Sequence, residues 1–259
     1  MTAKCRIFGI VLDAISMDVA TSRLIQWLES PRSQCRYVVT PNVDHVVKLR
    51  SSPAFMAAYA GASMVLADGK PLVLASRLMG KELKETVPGS DLVPGLFRKA
   101  RSMRHPMKIF LLGAGPGVAN RAALAITQRW PNVQIVGTYS PPLGFEALPS
   151  ECEQIIEKIA ATEPDVLIVG LGAPKQELWI HKYRTRINAK VAICAGATID
   201  FIAGEKARAP IWMRKAGLEW LHRVGSEPRR LLRRYAHDAV IFPTLLVREL
   251  FGGAVSRDD

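Results

Sequence analysis

Cysteine is scarce in this 259-residue chain, and the four that occur, Cys5, Cys35, Cys152 and Cys194, form no C-x-x-C pair. A disulfide framework or a zinc site is therefore not expected; buried free thiols in a reducing compartment are. Long apolar runs are missing as well. The run before Asp13 covers six residues, too short for a signal peptide. AVIFPTLLV at 239–247 is the longest candidate; it is broken by Pro243 and has about half of the ~20 residues needed to cross a bilayer. Also absent are D-x-D, G-x-S-x-G, H-E-x-x-H and G-x-x-x-x-G-K-[ST]. Without a carboxylate pair for Mg²⁺ or Mn²⁺, a phosphate ligand has to be neutralised by helix N-termini and Lys/Arg. No cofactor and no metal are expected.

Acidic residues are in short supply: 23 Asp/Glu face 35 Lys/Arg, a net charge of +12. That balance implies an anionic partner, whether nucleic acid, nucleotide or membrane surface. The excess is local. Nine Lys/Arg between Lys206 and Arg234 meet only Glu219 and Glu227, a net +7, so the basic surface belongs to the C-terminal part.

What is present is alternation. RIFGIVL (6–12), RYVVT (36–40), SMVLA (63–67), MKIFLLG (107–113), VQIVGTY (133–139), DVLIVGL (165–171) and KVAICAG (190–196) read as strands, with helical spacing between them. Near-continuous Val/Ile/Leu content in the later strands predicts burial on both faces, as in a parallel sheet. The fold class is α/β: a Rossmann-like, mostly parallel sheet flanked by helices. After residue 203 no strand is convincing. IWMRKAGLEWLHRVGSEPRRLLRRYAHDAVIFPTLLVREL reads as two or three short helices separated by Gly225 and Glu227-Pro228. The expected organisation is a core over 1–203 and a basic amphipathic helical appendage over 204–259.

In an open α/β sheet, ligands bind beyond the carboxyl ends of the strands, and four such ends carry suggestive residues. GAGPGVA, with Gly113 and Gly115, is a candidate phosphate loop. Val118 stands at the third glycine position of G-x-G-x-x-G, and no acid appears near the next strand end to bind a ribose. VGLGAPKQELWI places Gly172, Lys175 and Gln176 at a helix start. VVTPNVDHVV offers Thr40 and Asn42, Asn42 being equally an N-cap; His45 is expected to pack on the helix. VLADGKPL ends a strand at Asp68-Gly69. Asp68 there is either a helix cap or a partly desolvated general base. Asp91 and Asp200 are further candidates for polar ligand contacts, or caps.

Taken together, TPNVDHV, VLADGKPLV, VPGSDLVP, IFLLGAGPGVA, VGLGAPKQELWI and GATIDFIAGEKARAPIWMRKAGLEWLHRVGSEPRRLLRRY resemble the WecG/TagA/CpsF family of bacterial glycosyltransferases, in order and spacing, from about residue 6 to 245. The resemblance implies a metal-independent, inverting transfer of a sugar from a UDP-sugar to a polyprenyl-diphosphate-linked saccharide in cell-surface or exopolysaccharide biosynthesis. The sugars used in such families are N-acetylmannosamine, its uronic acid or glucose. The resemblance also implies that Asp68 is the catalytic base, that Thr40 and Asn42 are substrate contacts, and that Gln176 is the Gln of the P-x-Q-E loop. Thr86 stands where many members carry an Arg, so another cation, Lys81, Lys84 or a tail arginine, is expected to take its place.

A lipid-linked acceptor requires docking at the membrane. Trp212, Trp220, Leu221, Leu231 and Leu232 alternate with Arg214, Lys215, Arg223, Arg229, Arg230, Arg233 and Arg234, the composition of an interfacial helix. From this set Arg214, Arg223, Arg230 and Arg233 are the expected docking residues. The expected location is the cytoplasmic face of the inner membrane, attached peripherally, without a nucleic-acid partner; homo-oligomer formation stays open. Two rival readings remain: a nucleotide-dependent Rossmann enzyme using NAD or S-adenosylmethionine, and a basic nucleic-acid-binding protein.

Overall fold

Seven-residue RIFGIVL does not run as one strand. In the computed structural model, which describes residues 3–252, the chain turns back at Phe8 and Gly9, whose φ values are +52° and +78°. Two successive positive-φ residues suit the right-handed twist of a tight hairpin. The result is an antiparallel pair, β1 (Lys4–Ile7) and β2 (Ile10–Asp13). α1 (Met17–Glu29), with Ser16 accepting from Val19 N–H as its cap, leads to β3 (Arg36–Val39). Then follow α2 (Val43–Leu49), α3 (Pro53–Ala60), β4 (Met64–Val65), α4 (Lys70–Leu78), α5 (Gly89–Lys99) and β5 (Met107–Gly113). α6 (Val118–Arg129), β6 (Val133–Tyr139), α7 (Pro149–Thr162), β7 (Val166–Gly170), α8 (Lys175–Tyr183), β8 (Val191–Cys194) and α9 (Thr198–Ile202) complete the α/β part.

Six strands form one sheet in the order β4-β3-β8-β7-β5-β6, and every pairing is parallel. Both faces are buried, as the apolar runs predict. Leu167, Val169, Ala192 and Cys194 point into one layer, while Val166, Ile168, Val191 and Ile193 point into the other. Two-residue β4 is the short edge. Its Val65 N–H has no further strand to pair with, and the buried Asp13 Oδ2 accepts it at 2.9 Å. Asp13 is held in turn by Lys4 at 2.8 Å and Arg23 at 3.3 Å. A carboxylate with two cations thus ends the sheet where an open edge would otherwise invite another strand.

The C-terminal stretch forms α10 (Ile211–Ala216), α11 (Glu219–Ser226) and α12 (Pro228–Gly252). Two details differ from the sequence reading. Gly225 lies inside α11 and separates nothing, and α12 is one helix of 25 residues that continues through Pro243. Pro243 is exposed, so the backbone group its ring leaves unpaired is on the solvent side. Glu227-Pro228 does mark a boundary, since a proline suits the first turn of a helix. α12 packs along α2, and Phe242 meets the hairpin tip at Phe8 with ring centroids 5.4 Å apart. Among the described residues no helix is long and apolar enough to cross a membrane.

Candidate active site

The strand ends β4, β3, β8 and β7 lie side by side, and the loops that follow them surround a cleft of about 440 Å³. Asp68 follows β4, Thr40 and Asn42 follow β3, Ala195 and Gly196 follow β8, and Gly170 to Gly172 follow β7. Backbone bonds hold the loops together: Asp68 N–H donates to Pro41 O at 2.8 Å and Val87 N–H to Ala67 O at 2.7 Å. The second of these brings Thr86, Gly89 and Asp91 to the same wall. Gly89 has no room for a side chain there, because a Cβ would stand 3.0 Å from Ala195 Cα.

Asp68 does not cap a helix. The N-cap of α4 is Gly69, at φ +101°, and no side chain bonds to that helix start. The Asp68 carboxylate, on the cleft wall, accepts no hydrogen bond among the described residues. Burial pushes its pKa up to about 7, with Glu219 and Asp91 adding to the rise and Arg223 and Arg208 opposing it. A carboxylate so placed is half-ionised near neutral pH, which suits a group that must accept a proton. Asn42, by contrast, is a cap: its Oδ1 accepts from His45 N–H at 3.3 Å, leaving its amide N–H₂ beside the cleft.

Of the other residues singled out from the sequence, Gly69, Asp91, Gly172, Gln176 and Asp200 line the cleft with Thr40 and Asn42. Gly113, Gly115 and Lys175 do not. Gly113 sits against β7, where a Cβ would be 2.5 Å from Gly170 O, and Ser140 Oγ closes the loop by bonding to Gly113 O at 3.1 Å and Gly115 O at 3.2 Å. Close strand packing thus accounts for this glycine. Lys175 is drawn away by an ion pair with Glu146. Asp91 already holds Arg208 at 2.8 Å and Arg214 at 3.3 Å, so it anchors the C-terminal segment to the wall.

The arginines divide differently from the membrane-docking expectation. Arg214 and Arg223 line the cleft, as does Arg234; Arg233 of the expected set is exposed on α12. The Arg230 and Lys215 side chains lie outside the described residues. Leu231 is buried, whereas Ile211, Trp212, Trp220, Leu221 and Leu232 are exposed. Lys81 is not the cation that answers Thr86: its Nζ donates to Arg6 O at 2.7 Å, away from the cleft, and Lys84 is exposed elsewhere. The tail supplies the positive charge instead. The Nε–H groups of Arg214 and Arg234 are buried with no hydrogen-bond acceptor among the described residues, donors that an anionic ligand would satisfy. Glu219 and Arg234, which line the cleft, were not singled out for it, because nothing local in the sequence shows which of residues 206–235 return to strands begun before residue 70.

Behind the cleft, Gln176 is nearly fully buried. Its Nε2 donates to Glu177 Oε1 at 2.8 Å, and its Oε1 accepts from Gly196 N–H at 3.3 Å. Glu177 has no exposed surface, its Oε2 has no partner, and burial raises its pKa to about 7. Nearby His45 bonds to Tyr59 Oη at 2.6 Å and is pushed down to about 4 by burial, so it is neutral and offers Glu177 no charge. The folded protein therefore holds the Glu177 proton more tightly than the unfolded chain does. That stabilisation is full below about pH 4.5 and is lost as pH rises to about 7. Glu177→Gln keeps the bond to Gln176 without the titration. It is expected to gain stability over the wild type at pH 8, on the order of 3 kcal/mol, and to match it near pH 4.5. Urea unfolding at both pH values measures this; an unchanged difference between the two pH values removes Glu177 as its source.

A model of the glycosyl transferase WecG/TagA/CpsF family matches residues 5–255. The chain is similar to the N-acetylglucosaminyldiphosphoundecaprenol N-acetyl-beta-D-mannosaminyltransferase of Staphylococcus aureus strain MRSA252, 31% identical over 232 residues that span 90% of this chain and 88% of the relative. It is 30% identical over the same shares to the protein of that name in strain MW2. With the match running nearly end to end over a parallel α/β sheet whose strand ends open into a cation-lined cleft, the chain belongs to the WecG/TagA/CpsF family and is a glycosyltransferase.

Proposed function

We propose that the protein transfers N-acetylmannosamine from a UDP-sugar to a polyprenyl-diphosphate-linked N-acetylglucosamine, inverting the anomeric centre and using no divalent ion. Asp68 carries the reading: a carboxylate with pKa near 7 at the strand ends, facing guanidinium groups. The relatives' names supply the sugar and the acceptor. In the reaction the acceptor hydroxyl oxygen forms a bond to the anomeric carbon while the bond from that carbon to the donor phosphate breaks. Asp68 takes the hydroxyl proton, and the electron pair of the broken bond leaves on UDP. Arg214 and Arg223, with Arg234 at the rim, offset the charge that builds on the leaving diphosphate. Asn42 and Thr40 are placed for sugar hydroxyls.

The acceptor's lipid tail stays in a bilayer at the cytoplasmic face, and the exposed Ile211, Trp212, Trp220 and Leu221 of α10 and α11 suit its headgroup boundary. The test is UDP release from a panel of UDP-sugars with a short-chain lipid-diphosphate acceptor. Release is expected with UDP-N-acetylmannosamine and to persist in chelator. Turnover lost in chelator and restored by manganese would overturn the metal-independent reading, and preference for another sugar would overturn the donor.

A further inference from the structure

We propose that a notch at the far end of α12, separate from the cleft, holds the phosphate headgroup of an anionic membrane phospholipid. The notch, about 480 Å³, lies between the hairpin tip, α2, α3 and α12. Arg50, Lys81 and Arg248 supply three cations against the single acid Glu249, and Phe8, Met56 and Leu245 form apolar walls. Phe8 is set there by its left-handed φ of +52° and by its ring contact with Phe242. Lys81 is steadied by its bond to Arg6 O. Guanidinium groups bind phosphate oxygens in pairs, and the apolar walls suit the glycerol and first methylenes of a lipid.

α12 joins this notch to the cleft. Arg234 lies 3.7 Å from Asp44 at the cleft rim, and Arg248, 14 residues on, is about 21 Å farther along the helix axis. Between and beyond them Leu232, Val240, Val247 and Phe251 are exposed by 60%, 68%, 53% and 72%. At helical spacing these four fall within about 100° of rotation, an apolar row on the face turned from the protein. A bilayer matches both features at once: with α12 lying in the interface, the row meets acyl chains, and the notch, on the side of the helix turned to the protein, stands at headgroup level, where a lipid phosphate enters it. Neither a free anion nor a peptide accounts for the row and the cations together.

The inference rests on the membrane-docked reading above, and its test separates the two. Co-sedimentation of the full chain is measured with phosphatidylglycerol-containing and pure phosphatidylcholine vesicles. The variants are Arg50→Ala/Arg248→Ala and, keeping all charges, Met56→Trp, which fills the notch. Tm and turnover of a short-chain, water-soluble acceptor control for folding and for the cleft. The double variant is expected to bind phosphatidylglycerol vesicles about tenfold to thirtyfold more weakly, Met56→Trp to weaken binding as well, and soluble-acceptor turnover to stay within about twofold of wild type. Unchanged vesicle binding in both variants overturns the proposal. So does loss in the double variant alone, which points to diffuse surface attraction without a site. If the wild type turns over no acceptor, the proposed function fails while the vesicle result still decides the notch.

Discussion

Asp68→Asn is expected to lower kcat by about 10²–10⁴-fold, the usual contribution of a positioned general base, and to raise Tm above pH 7, because burial disfavours the charged carboxylate that Asn replaces. Asparagine preserves the shape of the side chain but cannot take the acceptor's proton. The wild-type rate carries a second signature. Asp68 works only when ionised, so kcat/KM should rise with pH and level off above about 7, where burial has placed its pKa. That limb vanishes in Asp68→Asn. Glu219→Gln removes the negative charge that adds most to the burial effect, so ionisation becomes easier and the limb moves to lower pH. Full turnover by a folded Asp68→Asn, or a rate that ignores pH between 5 and 9, would remove Asp68 from this role.

Loss of the tail cations is the second large effect. Arg223→Ala is expected to cost kcat about 10²–10³-fold, the range for removing one donor that acts on developing charge. Arg223 also holds the Asp68 pKa down, so its removal shifts the acid limb to higher pH, opposite in sign to Glu219→Gln. Arg214→Ala should show a comparable loss of kcat and in addition loosen α10, since Arg214 bonds Asp91 at 3.3 Å. A readout that separates catalysis from simple binding is the ratio of kcat to KM effects. A cation acting on the leaving diphosphate lowers kcat, whereas one that only holds the ground-state donor raises KM. A pure KM effect for Arg223→Ala would place it outside the transition state.

The parallel sheet was legible because the strands are short and apolar on both faces, which only a sheet sandwiched between helices satisfies. RIFGIVL was misjudged because its apolar run is continuous through Phe8-Gly9, and the turn rests on a positive φ at a phenylalanine that no propensity favours. The Gly-rich loop at 113–117 resembles a phosphate loop in composition, yet Gly113 answers a contact with Gly170 on a strand 57 positions away. Composition cannot tell a glycine that admits a ligand from one that admits a neighbouring backbone. Lys175 is a similar case, since its partner Glu146 precedes it by 29 positions and no local pattern links them.

Residue pattern alone determined the α/β class, the position of Asp68 at a strand end and the helical, basic character of the C-terminal stretch. These follow from periodicity, turn chemistry and charge, which act over a few neighbours. Tertiary structure alone decided which tail arginines reach the cleft, Arg214, Arg223 and Arg234, and that Ile211, Trp212 and Leu221 stay exposed outside its lining. It also decided that Asp68 is sufficiently buried to titrate near 7. Both depend on a segment after residue 206 folding back over strands that end before residue 70, and desolvation and long-range charge proximity exist only once that return is made.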